Sequence, residues 1–267
     1  MTTQHTIDYA LHLADNALVL GHRNSEWTGH GPILEQDIAL SNIALDLIGQ
    51  ARYFYQYAAR LMNAAARPGE PEVTEDVLAY LRDSWDFRNC LLVEQANGDW
   101  GKTILRQFFF SAYQYYFYKE LQRSRDGELS AIAEKALKEV TYHLRWSSEW
   151  VIRLGDGTEE SHSRMRKALD ELWMYTGELF QPADYERSLI PVGVAVDLAE
   201  IRPLWEERVR EVLKEAKLVH PGSMRADGKA TKEWMQGGGK QGRHTEQLGY
   251  LLAEMQFLQR AYPACEW

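Results

Sequence analysis

The residues with the clearest chemical potential lie between Lys138 and His143, in a stretch with helical periodicity. In helical bundles that bind metals through carboxylates, a Glu three residues before a His places both ligands on one helix face. Here the residue three before His143 is Val140, which binds no metal, and the nearest acid, Glu139, points about 100° away from Val140. The spacing therefore indicates the frame of a metal site with an apolar residue in a ligand position.

A second candidate, Glu159 to His162, has the formal Glu-x-x-His spacing but follows a glycine turn and a capping Thr158. Acids in the first turn of a helix are favoured by the helix dipole, and a two-metal site needs two such motifs and two further carboxylates. The remaining N-terminal histidines lack ligand spacing; they are His5, His12, His22 and His30. The sequence therefore predicts no metal in this chain.

The stretch from Gly237 to Arg243 places three consecutive glycines before Lys240 and Arg243, ahead of a predicted helix. It lacks the order of a phosphate-binding P-loop, and no strand leads into it. Consecutive glycine amides beside two cations can nevertheless hold an anion or a partner surface. We expect an interaction role and no chemistry here, with a solvated flexible loop as the alternative.

Composition excludes several classes of function. The net charge is −9 without a basic cluster, which argues against nucleic acid as a partner. Apolar runs are broken by charge well before the 18 residues of a membrane span. The two cysteines form no CxxC pair or disulfide framework, and the N-terminus lacks the pattern of a signal peptide. We expect a cytoplasmic protein.

Helical periodicity covers most of the chain, and no strand pattern is evident. The sequence predicts an all-α fold, one domain over residues 1–267, with an extended loop at 181–198. The predicted helices span about 7–22, 33–62, 74–95, 99–125, 128–154, 158–180, 199–218 and 244–260.

Two apolar stripes run along the predicted helix at 33–62. One stripe holds Leu34, Ile38, Ser41, Leu45 and Ile48, and the other holds Leu40, Ala44, Leu47 and Ala51. A helix that is apolar over most of its circumference is typically central, so we expect this helix to be surrounded by others.

Eight aromatic residues lie between Phe108 and Tyr118 and point in every direction around three helical turns. One interpretation is a fully buried central helix. The other is a helix with one face in the core and another face against a partner protein, since Tyr and Phe are enriched at interfaces. A chain of this size would have difficulty covering eight rings, so we expect this region to take part in a complex.

Five runs along the chain resemble the non-catalytic, ferritin-like subunit of the bacterial phenylacetyl-CoA epoxidases, which are ring 1,2-monooxygenases. They are EWTGHGP at 26–32, NIALDLIGQAR at 42–52, NCLLVEQANG at 89–98, YHLR at 142–145 and HTEQLGYLLAEMQ at 244–256. The similarity extends over essentially the whole chain. It implies a ferritin-like bundle that carries no cofactor and supports a related catalytic subunit holding a di-iron centre.

The resemblance also implies the setting in which the chain works. The complex would epoxidise the aromatic ring of phenylacetyl-CoA with O₂ during aerobic phenylacetate degradation. Its other parts would be the catalytic di-iron subunit, a small bridging subunit and, indirectly, a flavin/iron–sulfur reductase. This chain would be a structural, non-catalytic subunit with a possible contact to the CoA ester.

Compared with the catalytic subunits, this chain lacks most metal ligands. The six ligand positions fall at Ala17, Leu47, Gln50, Ser111, Val140 and His143, and only His143 keeps a ligating type. The family also places two stretches near the substrate, which here are Asp86, Phe87, Arg88, Asn89 and Arg187, Ser188, Leu189. Arg88 and Arg187 could face coenzyme A phosphates or serve as surface salt-bridge partners.

Two other classes of function remain open. The first is a free-standing ferritin-like oxidase that binds a metal at a shifted site made of Asp46, Glu139 and His143. Because Glu139 and Val140 cannot both face inward, the sequence argues against this site. The second is a purely structural dimer without a catalytic partner.

Overall fold

The computed structural model describes residues 2–221, 234–263 and 265, and it confirms the all-α, ferritin-like bundle. Short 3-10 turns at Ser84–Asp86, Trp173–Tyr175, Gly177–Phe180 and Gly239–Gln241 lie between the α-helices. None of the helices in the described ranges has the length and apolar character needed to cross a membrane. The helices are α1 (Thr2–Ser25), α2 (Leu34–Ala65), α3 (Glu75–Tyr80), α4 (Leu91–Glu94), α5 (Trp100–Leu121), α6 (Gly127–Gly155), α7 (Glu159–Leu172), α8 (Asp184–Leu189), α9 (Leu198–Glu215), α10 (Glu246–Met255) and α11 (Phe257–Ala261).

Side-chain caps begin three of the helices, at Asp99, Asp126 and Thr158. The carboxylate of Asp99 accepts from the amide of Lys102 at 2.9 Å, and Asp126 caps α6 in the same way. The hydroxyl of Thr158 accepts from the amide of Ser161 at 3.1 Å. These caps satisfy amides that have no partner inside the helix, which is why the boundaries were readable from sequence.

The bundle is built from α1, α2, α5 and α6. Helix α1 packs along α2, α5 packs along α6, and α2 and α6 close the bundle. The closure is visible in polar pairs: Trp146 Nε1 donates to Gln36 Oε1 at 3.0 Å, and further along Gln50 reaches Glu139. The metal-ligand positions predicted by the resemblance therefore lie between these four helices.

Most of the aromatic rings of α5 are covered by the chain itself, so the expectation that a chain of this size would have difficulty covering them was wrong. Six of the eight rings are buried, and only Tyr115 and Tyr116 are partly accessible. Helix α9 supplies much of the cover: Trp205 lies 5.9 Å from the Phe109 ring and donates its Nε1–H to the Phe109 carbonyl. The buried-helix interpretation is confirmed.

Short elements account for most boundary differences. The predicted helix at 74–95 is interrupted after α3, because Arg82 turns inward to pair with the buried carboxylate of Asp15. The predicted loop at 181–198 contains α8, whose first turn is held by Glu186 accepting from the Ala183 amide at 2.7 Å. The last predicted helix is divided into α10 and α11.

Helix α2 is less central than its sequence indicated. The stripe of Leu40, Ala44, Leu47 and Ala51 is buried, as expected. The second stripe faces outward, with Leu34 71% exposed, Ile38 51% exposed and Leu45 66% exposed. Among the residues that the structure describes, the chain's helices therefore cover only one of the two apolar faces of α2.

Candidate functional site

The six positions aligned with metal ligands come together in the bundle interior. Ala17, Leu47 and Val140 are fully buried and pack in the hydrophobic core. The polar side chains at the other positions, Gln50, Ser111 and His143, are also buried. Aliphatic packing therefore fills the space at three of the six positions.

Gln50 is held by hydrogen bonds to its protein neighbours. Its amide Nε2 donates to Glu139 Oε2 at 2.9 Å, and its Oε1 accepts from the hydroxyl of Tyr118 at 3.3 Å and the amide of Gln114 at 3.4 Å. Burial raises the pKa of the Glu139 carboxyl, although the Gln50 hydrogen bond opposes this shift. Both ends of the Gln50 amide are therefore engaged by protein groups.

His143 and Ser111 have their own partners. His143 Nε2 donates to Asp46 Oδ2 at 2.9 Å, while its Nδ1 is buried without a hydrogen-bond partner in the described residues. The hydroxyl of Ser111 accepts from Gln107 Nε2 at 2.8 Å, and Gln107 in turn accepts from Asn24 at 2.7 Å. The uncharged side chains of Asn24, Gln107 and Ser111 are thus hydrogen-bonded in series at a position where the resemblance implies a charged ligand.

This donor set does not fit a di-iron centre. Such a centre requires several carboxylates, whereas the interior offers one histidine nitrogen among aliphatic and amide groups. Across the described residues, no group of three or more His, Cys, Asp and Glu side chains has the geometry to hold a metal ion. Glu139 is partly buried and accepts from Gln50, and the shifted set of Asp46, Glu139 and His143 does not have that geometry either.

The two stretches predicted near the substrate both lie along α1. His12 Nδ1 donates to the carbonyl of Arg88 at 2.7 Å, and His5 Nδ1 lies 2.5 Å from the hydroxyl of Ser188. Residues seven apart share one helix face, so α1 brings residues 86–89 and 187–189 to the same side of the bundle.

Only some of these seven residues are accessible. Phe87, Asn89 and Leu189 are fully buried, so they do not meet a ligand at the surface. Arg88 is partly accessible, and its Nη1 donates to the carbonyls of Trp85 and Phe87. The exposed residues are Asp86, Arg187 and Ser188. Arg187 pairs with Asp184 at 2.7 Å.

The Gly237–Arg243 loop is ordered by the chain itself, which corrects the expectation for Lys240. Lys240 is 1% exposed, and its Nζ lies 3.0 Å from Glu186 Oε2 in a buried ion pair. Glu178 Oε1 accepts from the amide of Gly238 at 2.8 Å. A Cβ on Gly239 would lie 2.2 Å from the carbonyl of Asn89, so close packing requires a glycine there. Lys240 therefore does not contact an external anion or partner, and Arg243 is the exposed cation of the loop.

Sequence reasoning missed a set of buried acids that tie the irregular segments to the bundle. Asp15 accepts from the amide of Arg88 at 2.7 Å and pairs with Arg82. Glu94 accepts from Asn89, His244 and Thr245 at 2.7–2.8 Å. Glu178 and Glu186 hold the Gly237–Arg243 loop in the same manner. One of these acids could have been found from the sequence, because Asp15 is a carboxylate within the apolar periodicity of α1.

The fold and this interior define a ferritin-like helical bundle whose metal-ligand positions are filled by packing and hydrogen-bonded amides. A model of the family described as phenylacetic acid catabolic protein matches residues 1–267. A protein of Escherichia coli (strain K12) that is named as one of the subunits of 1,2-phenylacetyl-CoA epoxidase is 46% identical over 259 residues, which cover 97% of this chain and 98% of that protein. The chain belongs to the phenylacetic acid catabolic protein family, and the resemblance read from its sequence runs is confirmed.

Proposed function

We propose that this chain is a structural, non-catalytic subunit of a phenylacetyl-CoA epoxidase complex in aerobic phenylacetate catabolism. The family membership and the relative named as an epoxidase subunit support the setting. The observation that carries the non-catalytic role is the interior itself, where Ala17, Leu47 and Val140 occupy ligand positions and Gln50 is fully hydrogen-bonded.

The partner that would supply the chemistry is a catalytic di-iron subunit, and iron would provide O₂ activation there. A small bridging subunit would join the complex, and a reductase would deliver electrons without a required contact to this chain. This chain would contribute a rigid bundle, because the side chains that stand in place of the metal ligands pack in its hydrophobic core. Any contact with phenylacetyl-CoA would involve the exposed groups beside α1, Arg187 above all.

The competing hypothesis of a free-standing metal-dependent oxidase receives less support. It would need Asp46, Glu139 and His143 to hold a metal together, but their polar atoms are hydrogen-bonded to protein groups, His143 to Asp46 and Glu139 to Gln50, and no such group in the described residues has metal-binding geometry. These hydrogen bonds engage one oxygen of each carboxylate and one nitrogen of the imidazole, and a two-metal centre needs several further carboxylate ligands.

Metal content and activity test the proposal together. The chain is purified alone, the catalytic subunit alone, and the two after co-expression, each grown with added iron. We expect less than about 0.1 iron, manganese or zinc per chain for this protein alone, and no turnover of phenylacetyl-CoA. The co-expressed pair with reductase should epoxidise the substrate and contain about two irons per catalytic subunit. About two metals per chain with turnover by this protein alone would establish the oxidase hypothesis instead.

A further inference from the structure

The outward stripe of α2 is an exposed apolar surface with regular spacing. Leu34, Ile38, Ser41 and Leu45, here called the α2 seam, follow one another at steps of four, three and four residues. The three aliphatic side chains are between 51% and 71% exposed.

The spacing of the seam specifies what kind of surface would cover it. Apolar residues at alternating steps of three and four form the seam along which two α-helices pack at a shallow angle. From Leu34 to Leu45 the seam is about 16 Å long, or three helical turns. A long helix with its own apolar seam therefore matches this surface better than a loop or a small molecule.

Charge distinguishes between a second copy of this chain and a different partner. Residues 31–51 contain Glu35, Asp37 and Asp46 and no Lys or Arg. Two copies packed through this segment would bring two acidic segments together, and such like-charge contacts are destabilising. A partner helix with Lys or Arg beside its apolar seam would instead be attracted.

We propose that the α2 seam is the docking surface for a long helix of the catalytic subunit, and that this helix carries an apolar seam flanked by basic residues. The inference rests on the proposed function for the identity of the partner, and on the seam and its charges for the surface. The α2 seam takes the place of the aromatic region of α5 as the expected partner surface, because most rings of that region are buried within the chain.

Substitutions on the seam test the surface without disturbing the fold, because the altered side chains are exposed. Ile38→Glu and Leu45→Glu are each combined with the wild-type catalytic subunit, and the dissociation constant is measured by calorimetry or light scattering. We expect each variant to bind at least about 100-fold more weakly, in the range of interface hot spots. The matched control is Leu204→Glu on α9, a 43% exposed leucine on a helix that packs against α5 and α6. It should bind within about threefold of wild type.

Reversing the charge of Glu35 tests whether basic residues flank the apolar seam of the partner helix. Glu35→Lys should weaken binding by about tenfold at low salt, and the difference from wild type should shrink at 0.5 M NaCl because screening removes it. Circular dichroism and thermal midpoints equal to wild type establish that the variants are folded. Glu35→Lys binding more tightly than wild type would overturn the basic-flank assignment.

The outcomes separate the two proposals. If wild type binds the catalytic subunit and both seam variants bind equally well, the α2 seam is not the docking surface, and the proposed function stands. If wild type does not bind the catalytic subunit at micromolar concentration, the proposed function fails. If sedimentation shows that wild type alone is a dimer that Leu45→Glu dissociates, the seam joins two copies of this chain and the hetero-partner assignment is wrong.

Discussion

At the scale of single residues, the buried ion pair between Lys240 and Glu186 predicts a large loss of stability when one partner is removed. Both side chains are 1% exposed. Lys240→Ala would leave the Glu186 carboxylate buried without its cation, and loss of one partner of such a pair costs about 3–5 kcal/mol. We expect a fall of that size in the free energy of unfolding, measured by urea denaturation at pH 7.

The neighbouring Arg243→Ala is the matched control, since it removes a cation from the same loop at an exposed position. Its unfolding free energy should stay within about 0.5 kcal/mol of wild type. The double variant Lys240→Met with Glu186→Gln should recover part of the loss, because it leaves no unpaired charge. A Lys240→Ala protein as stable as wild type would show that the pair is not buried.

The ligand positions in the bundle give a second residue-scale prediction. Leu47→Glu with Val140→Glu places two carboxylates in a core where both original side chains are fully buried. Without the other ligands, the buried acids cost several kcal/mol through desolvation. We expect a strongly lowered thermal midpoint and no stoichiometric iron by elemental analysis. Leu47→Met with Val140→Ile, which keeps the core apolar, is the control, and a stable, iron-loaded Glu variant would contradict the prediction.

How much of the site was readable from sequence depends on the distance over which residues interact. The missing ligand at Val140 could be read because a helix fixes the spacing to His143. Asp15, Glu94 and Glu178 could not be assigned, because each has a partner 60 or more residues away, in a segment without periodicity. The role of Lys240 was misjudged for the same reason: a lysine among glycines is typical of a solvated loop.

At the scale of elements, Glu178 connects three segments through backbone amides. Its carboxylate accepts from the amides of Leu91 at 2.7 Å and Gly238 at 2.8 Å. Glu178→Gln weakens these charge-assisted bonds. We expect faster hydrogen exchange for residues 234–243 and 89–92 and little change in α5. Asp184→Asn, at an exposed acid six residues further on, should leave exchange in both segments unchanged. Unchanged exchange in Glu178→Gln would show that other contacts hold the loop.

The long helices could be predicted from sequence, whereas the short ones could not. Periodicity and the capping residue Thr158 predicted the long helices because both signals are local. Helices α3, α4 and α8 have six residues or fewer, so their existence depends on tertiary contacts such as Arg82 with Asp15. The two stripes of α2 were identified correctly, but sequence alone did not reveal that the described part of the chain covers only one of them.

At the scale of the whole molecule, three histidines give the fold its dependence on pH. Burial lowers the pKa of His12 to about 4 and that of His22 to about 4. For His244, burial acts in the opposite direction but is outweighed by the hydrogen bond and charge of Glu94, so its pKa is raised above its ordinary value. His244 donates from both ring nitrogens, to Glu94 and to the Phe87 carbonyl, which requires the protonated ring.

The signs of these shifts predict losses of stability on both sides of neutral pH. His12 and His22 are neutral in the fold but take up protons when unfolded below about pH 6.5, so stability falls as pH drops from 6.5 towards 4. The slope is up to about 1.4 kcal/mol per pH unit for each histidine. His244 contributes fully below about pH 6.5 and loses its contribution as pH rises through its raised pKa.

Unfolding free energies measured between pH 4.5 and 9 for wild type and three variants check this dependence. His12→Gln should flatten the acid slope by about one proton. His244→Gln should be less stable than wild type at pH 6, and the gap should narrow towards pH 9. His30→Gln, at an exposed position, should follow the wild-type curve throughout. A His12→Gln protein with the wild-type acid slope would mean that His12 is protonated in the fold, and its burial against the Arg88 carbonyl would then need another explanation.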